Sequence, residues 1–135
     1  MTKANAIHHV AISVEKIEDA LPFWEALGLE VESITEVQEE DSKVAFLPIG
    51  ETKIELVEPL SDSSGIARLI AKRGPGLHHI CVQVDDIEGM LSVLDEKGFQ
   101  LINPIPQTDQ AGRKYAFIHP KSTNGVLVEL YEPPG

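Results

Sequence analysis

Ile7-His8-His9-Val10-Ala11-Ile12-Ser13-Val14 returns at an offset of 70 as Leu77-His78-His79-Ile80-Cys81-Val82-Gln83-Val84. At the same offset Ile17, Glu18, Leu21 and Gly28 meet identical residues in Ile87, Glu88, Leu91 and Gly98. A second match pairs Ile54-Glu55-Leu56-Val57-Glu58-Pro59 with Val128-Glu129-Leu130-Tyr131-Glu132-Pro133, now at an offset of 74. Two ordered matches with a shared glycine between them indicate an internal duplication.

Both copies follow one local pattern. Residues 8–14 and 78–84 are rich in β-branched side chains and alternate, which predicts strands. Ile17, Ala20, Leu21 and Trp24, and likewise Ile87, Met90, Leu91 and Leu94, recur at helical spacing over 17–27 and 87–97. Gly28 and Gly98 stand where a helix ends in a residue tolerant of positive φ. Three more strands are expected in each copy, near 30–36, 43–49 and 52–58, then near 99–103, 114–119 and 125–132. Ser61-Asp62-Ser63-Ser64 reads as a capping cluster before a short helix carrying Ile66, Leu69 and Ile70, and Gly74-Pro75-Gly76 ends it. The expectation is an α+β fold: one domain of 1–135 made of two βαβββ modules, about 7–59 and 77–133, joined by a helical linker, 60–76. Pseudo-twofold pairing of their curved mixed sheets would enclose a cleft, the natural place for a ligand.

Alternation also sorts the faces. Val10, Ile12 and Val14 are set to pack on one helix and Ile80, Val82 and Val84 on the other. His9 and His79 then point away. In the later strands Ile54 and Leu56, and Val128 and Leu130, pack, while Glu55 and Glu129 point away. Taken singly, each is more often a packed histidine or a solvated glutamate. As a symmetric set, His9, Glu55, His79 and Glu129 supply two nitrogen and two oxygen donors for a divalent cation. Zinc, cobalt, nickel, manganese and iron all suit that set, and open coordination positions would make the site catalytic. His8 and His78 compete as ligands but fall on the helix side. His119, before Pro120 in a turn, is given no ligand role. Met90 and Trp24 read as packing.

Composition narrows the function classes. Among 135 residues, 11 are basic and 22 acidic, a net charge of −11. Such a field disfavours nucleic-acid binding. No segment reaches membrane-spanning length, and Met1–Val10 lacks a signal-peptide apolar run. The single cysteine, Cys81, excludes a disulfide framework and a cysteine zinc cluster and fits a reducing, cytoplasmic setting.

The doubled βαβββ pattern with His…Glu…His…Glu resembles the vicinal oxygen chelate superfamily. Gly74-Pro75-Gly76-Leu77-His78-His79-Ile80, Val84-Asp85-Asp86-Ile87 and His119-Pro120-Lys121-Ser122-Thr123-Asn124-Gly125-Val126-Leu127-Val128-Glu129-Leu130 resemble the methylmalonyl-CoA epimerases, from about Ile7 to Pro133. The resemblance implies an isomerase that interconverts (R)- and (S)-methylmalonyl-CoA through a metal-stabilised enolate, with cobalt, zinc or manganese. It also implies a homodimer acting in propionyl-CoA metabolism. His9, His79 and Glu129 match the family's two histidine ligands and second-half glutamate. Glu55 matches its fourth ligand, which is Gln or Glu. Inversion needs two acid–base groups flanking C2. Glu129 matches one. The other, a glutamate in some members, falls on Val44, so Glu55 ranks first as its replacement, ahead of Glu39 and Glu40. Arg113, Lys114, Lys121 and Ser122 are the candidates for the coenzyme A side, and only Lys121 and Ser122 carry family-motif support.

Three rivals share the scaffold. A lactoylglutathione lyase would keep all four ligands but usually lacks the His-Pro-Lys-Ser segment. A binding module of the bleomycin-resistance type commonly loses the ligands. A ring-cleaving dioxygenase uses two histidines and one carboxylate on iron, generally in a longer chain.

Overall fold

The two helical stripes and the alternating runs fold as the repeat requires. In the computed structural model, which describes residues 2–135, the chain divides into two units. The first is His9–His78; the second joins the stretch up to His8 to His79–Gly135. The first uses the end of strand β1 (Ala4–Ser13) from His9 on, helix α1 (Ile17–Ala26), β2 (Ser33–Val37), β3 (Ser42–Ile49), β4 (Thr52–Pro59) and helix α2 (Gly65–Arg73). The second uses the start of β1, β5 (Gly76–Val84) from His79 on, α3 (Ile87–Glu96), β6 (Gln107–Thr108), β7 (Lys114–Ile118) and β8 (Val128–Glu132). Strand order is β2-β3-β4-β1 in one and β5-β8-β7-β6 in the other. In both, the first strand runs parallel to the last and the remaining neighbours are antiparallel. This is a βαβββ arrangement made twice, of α+β class.

The helix-side faces hold the main cores. Ala45, Leu47 and Leu56 bury against Ile17, with Ala20, Leu21 and Trp24 of α1 packed around them. Val84, Ala116, Ile118 and Leu130 bury against Ile87 and Leu91, with Met90 and Leu94 of α3 alongside. Each fully buried leucine or isoleucine contributes roughly 1.5–3 kcal/mol. Gly28 and Gly98 follow α1 and α3 with φ of 92° and 86°, the left-handed turn read from the sequence. Ser64 caps α2 by accepting from Ala67 N–H at 2.9 Å.

Both longer helices are also tied to their last strand by a carboxylate. Ile17 N–H donates to Glu58 Oε1 at 2.7 Å, and Ile87 N–H donates to Glu132 Oε1 at 2.9 Å. Glu58 and Glu132 are repeat mates. A carboxylate at a helix N-terminus satisfies an orphan donor and meets the positive end of the macrodipole.

One strand is misplaced by the sequence reading. Residues 99–103 form no strand; Leu101 makes a lone bridge to Ile118, and the short β6 lies at 107–108. Pro104 and Pro106 cannot donate to a ladder, which stops pairing there. The segment still tracks β7. Ile102 N–H and Asn103 N–H donate to Phe117 O, and Asn103 Oδ1 accepts from Phe117 N–H.

Candidate metal centre and active site

Register decides which side chains share the face away from each helix, here the far face. In the first unit Glu55 of β4 lies opposite Ala11 of β1 and Phe46 of β3. His9, two residues before Ala11, leaves the sheet on the same side and meets Glu55 on the diagonal. Its Nε2 is 3.6 Å from Glu55 Oε1. The second unit repeats this. Glu129 of β8 lies opposite Cys81 of β5 and Phe117 of β7. His79 Nε2 is 3.1 Å from Glu129 Oε1. Each imidazole also takes a phenylalanine edge-on: His9–Phe46 at 5.6 Å and His79–Phe117 at 5.5 Å.

Burial sharpens the chemistry. His9 and His79 are each 6% exposed and Glu55 9%, while the Glu129 side chain is 15% exposed. Carboxylates held this dry need a proton, a hydrogen bond or a cation. Two donors sharing one ion at about 2.1 Å stand roughly 3–3.5 Å apart at ordinary coordination angles. The 3.1 Å of His79–Glu129 lies within that spacing and the 3.6 Å of His9–Glu55 just beyond it. Each pair therefore fits as half of an N,O donor set for a borderline divalent metal.

The acid–base inventory is short. On the far face of the first unit, β1 offers His9, Ala11 and Ser13, β3 offers Ser42, Val44 and Phe46, and β4 offers Lys53, Glu55 and Val57. Ser13 Oγ already bonds the Gly76 backbone. Val44 is buried with Ala11 and Val57. Glu39 and Glu40 lie exposed on a one-turn 3-10 helix, Gln38–Glu40. Glu55 is thus the carboxylate that strand register places on this face, among the described residues. Glu129 holds the same position in the second unit.

His8 departs from its expected side. Strict alternation sends it toward the helix, yet its ring stacks on Tyr131 with centroids 4.3 Å apart. Tyr131 shares the far face with Glu129, two residues earlier. His119 Nδ1 accepts from Lys121 N–H at 3.0 Å, a turn role consistent with its omission as a ligand.

The other candidates sit in the second unit. Arg113 Nε pairs with Asp109 Oδ2 at 3.0 Å. Ser122 Oγ accepts from Gln100 N–H at 2.8 Å, and Lys121 is exposed on the same 3-10 turn, Pro120–Ser122. Two groups escaped the sequence reading. Lys53 shares alternation with Glu55, a signal that was available. Glu58 and Glu132 were visible as repeat mates but had no helix to cap until the fold was known.

Similarity to known proteins agrees with this construction. Residues 8–117 match the family model described as the glyoxalase/bleomycin resistance protein/dioxygenase superfamily. An uncharacterized Bacillus subtilis protein, YqjC, is 42% identical over 132 residues, covering 97% of this chain and 94% of its own. The ethylmalonyl-CoA/methylmalonyl-CoA epimerase of Cereibacter sphaeroides is 37% identical over 127 residues, covering 92% and 95%. A solved methylmalonyl-CoA epimerase in complex with methylmalonyl-CoA and NH4+ superposes with a TM-score of 0.88 at 28% identity, covering 97% and 96%. A duplicated βαβββ chain with a buried His–Glu pair in each half, matched over nearly its whole length by such relatives, belongs to the methylmalonyl-CoA epimerase family of the glyoxalase/bleomycin resistance protein/dioxygenase superfamily.

Proposed function

We propose that the protein is an epimerase interconverting (R)- and (S)-methylmalonyl-CoA by removing and returning the C2 proton. The observation that carries this reading is the repeated buried pair, His9–Glu55 and His79–Glu129, in a chain of this family. The four side chains together would hold one divalent ion, with cobalt, zinc and manganese the leading candidates. Such an ion, when bound, supplies Lewis-acid polarisation of substrate oxygens.

The residues do the rest. C2 lies between a thioester carbonyl and a carboxylate, which acidifies its hydrogen. Inversion needs one group to take the proton and another to return one from the opposite side. Glu129 and Glu55 are assigned these roles, exchanging them between the two directions. Their burial beside imidazoles and phenylalanine rings keeps bulk water from competing for the proton. Lys121, Ser122 and Arg113 are assigned to the coenzyme A end. A homodimer in the cytoplasm is proposed by family analogy, and light scattering on the purified protein checks the mass. Among the described residues no helix is long and apolar enough to cross a membrane.

The test uses stereochemically pure (R)-methylmalonyl-CoA. The protein should convert it to a near-equal mixture with the (S) form, followed by chiral chromatography. Full retention of configuration after metal loading would contradict the reading.

A further inference from the structure

Repeat symmetry fails two residues before Glu55: the offset of 74 carries Lys53 onto Leu127. Register sets Lys53 opposite His9 on β1 and Pro48 on β3. It lies two residues before Glu55 on β4, so its side chain leaves on the His9–Glu55 face. The ammonium is anchored. Nζ is 2.7 Å from Glu32 Oε1 and 5.6 Å from the centroid of the Phe46 ring. Phe46 in turn lies opposite Glu55 and edge-on to His9.

The lysine side chain is 33% exposed, so a ligand can reach a charge whose position is already defined. The remaining strand cations, among the described residues, are Lys43 and Lys114. They lie opposite Glu58 and Glu132, the helix-capping carboxylates, and so share the helix side. Lys114 is paired there with Glu88 at 2.9 Å, as Lys53 is with Glu32, and the Glu88 hydrogen bond holds its ammonium pKa above the ordinary lysine value, so it is the helix side that sets Lys114 apart. A chain of net charge −11 needs a local cation where a polyanion must land. On the far faces, register supplies Lys53.

We propose that Lys53 is a substrate-binding residue whose ammonium receives an oxyanion of the acyl-CoA beside the His9–Glu55 pair. The ligand's identity rests on the epimerase reading. Glu32 and the Phe46 ring preorganise the ammonium. A partly exposed lysine–glutamate pair adds little to stability, so the loss of Lys53 is read in binding rather than in folding. The oxyanion is either the acyl carboxylate or a nucleotide phosphate.

The experiment compares wild type, Lys53→Met and Lys53→Arg as metal-loaded full-length protein. Substrates are methylmalonyl-CoA and methylmalonyl-pantetheine, which lacks the nucleotide phosphates. With methylmalonyl-CoA, Lys53→Met should raise KM about tenfold or more while kcat stays within about threefold. Lys53→Arg should recover most of the loss, and metal content should not change. A penalty that persists on the pantetheine substrate identifies the acyl carboxylate; one that vanishes identifies a phosphate. KM within about twofold of wild type on both substrates, or a fall in kcat alone, overturns the assignment. Wild-type protein without turnover overturns the epimerase reading, and this assignment with it.

Discussion

His79 and Glu129 meet because β8 runs parallel to β5 with Glu129 opposite Cys81, which sets a histidine two residues back on the diagonal. The same arithmetic joins His9 to Glu55. Alternation together with the repeat singled out these four residues, since a strand has only two faces. It did not anticipate the stacking of His8 on Tyr131. Lys53 was missed where the alternation was not carried one step further back from Glu55. Two predictions belong at this scale. Removing a ligand should cost more than disturbing its outer partners, so His79→Ala should lose metal and about 100-fold or more in kcat/KM. Metal analysis and turnover check this, and a fully active, metal-replete variant would contradict the ligand role. Glu55→Gln keeps an oxygen donor but no base. Its kcat should fall on the order of 10²–10⁴ with metal retained. Unchanged turnover would make Glu55 a ligand only.

Helices α1 and α3 are each positioned by a glutamate reaching back from the strand that also carries a candidate ligand. Glu58 follows Glu55 by three residues, and Glu132 follows Glu129 by three, so cap and ligand leave opposite faces of one strand. The two caps are not equivalent. Lys16 at the start of α1 makes no side-chain cap, whereas Asp86 at the start of α3 accepts from Gly89 N–H at 3.1 Å. Glu58→Ala should therefore destabilise by about 1–2 kcal/mol and Glu132→Ala by less, as read from urea midpoints. Equal losses would mean that Asp86 does not share the load at α3. The helices themselves were legible from Ile17, Ala20, Leu21, Trp24 and their mates. The second strand of the second copy was not, because Leu101 and Ile102 look like strand residues until Pro104 and Pro106 deny them a ladder.

At the scale of the molecule, duplication gives two chemically similar halves that depart from symmetry at the proposed substrate-binding residue. Lys53 stands where the other half has Leu127; Tyr131 stands where the other half has Val57. The His–Glu pairs remain symmetric, as a reaction running in both directions from opposite sides of one carbon would use them. The most direct test of that claim is the incubation of metal-loaded protein with methylmalonyl-CoA in deuterated water, with and without a chelator, followed by mass analysis of C2. Prompt deuterium incorporation that the chelator abolishes and added cobalt restores is the predicted result. Label at C2 that is indifferent to the chelator, or no label at all from the loaded protein, would contradict the account.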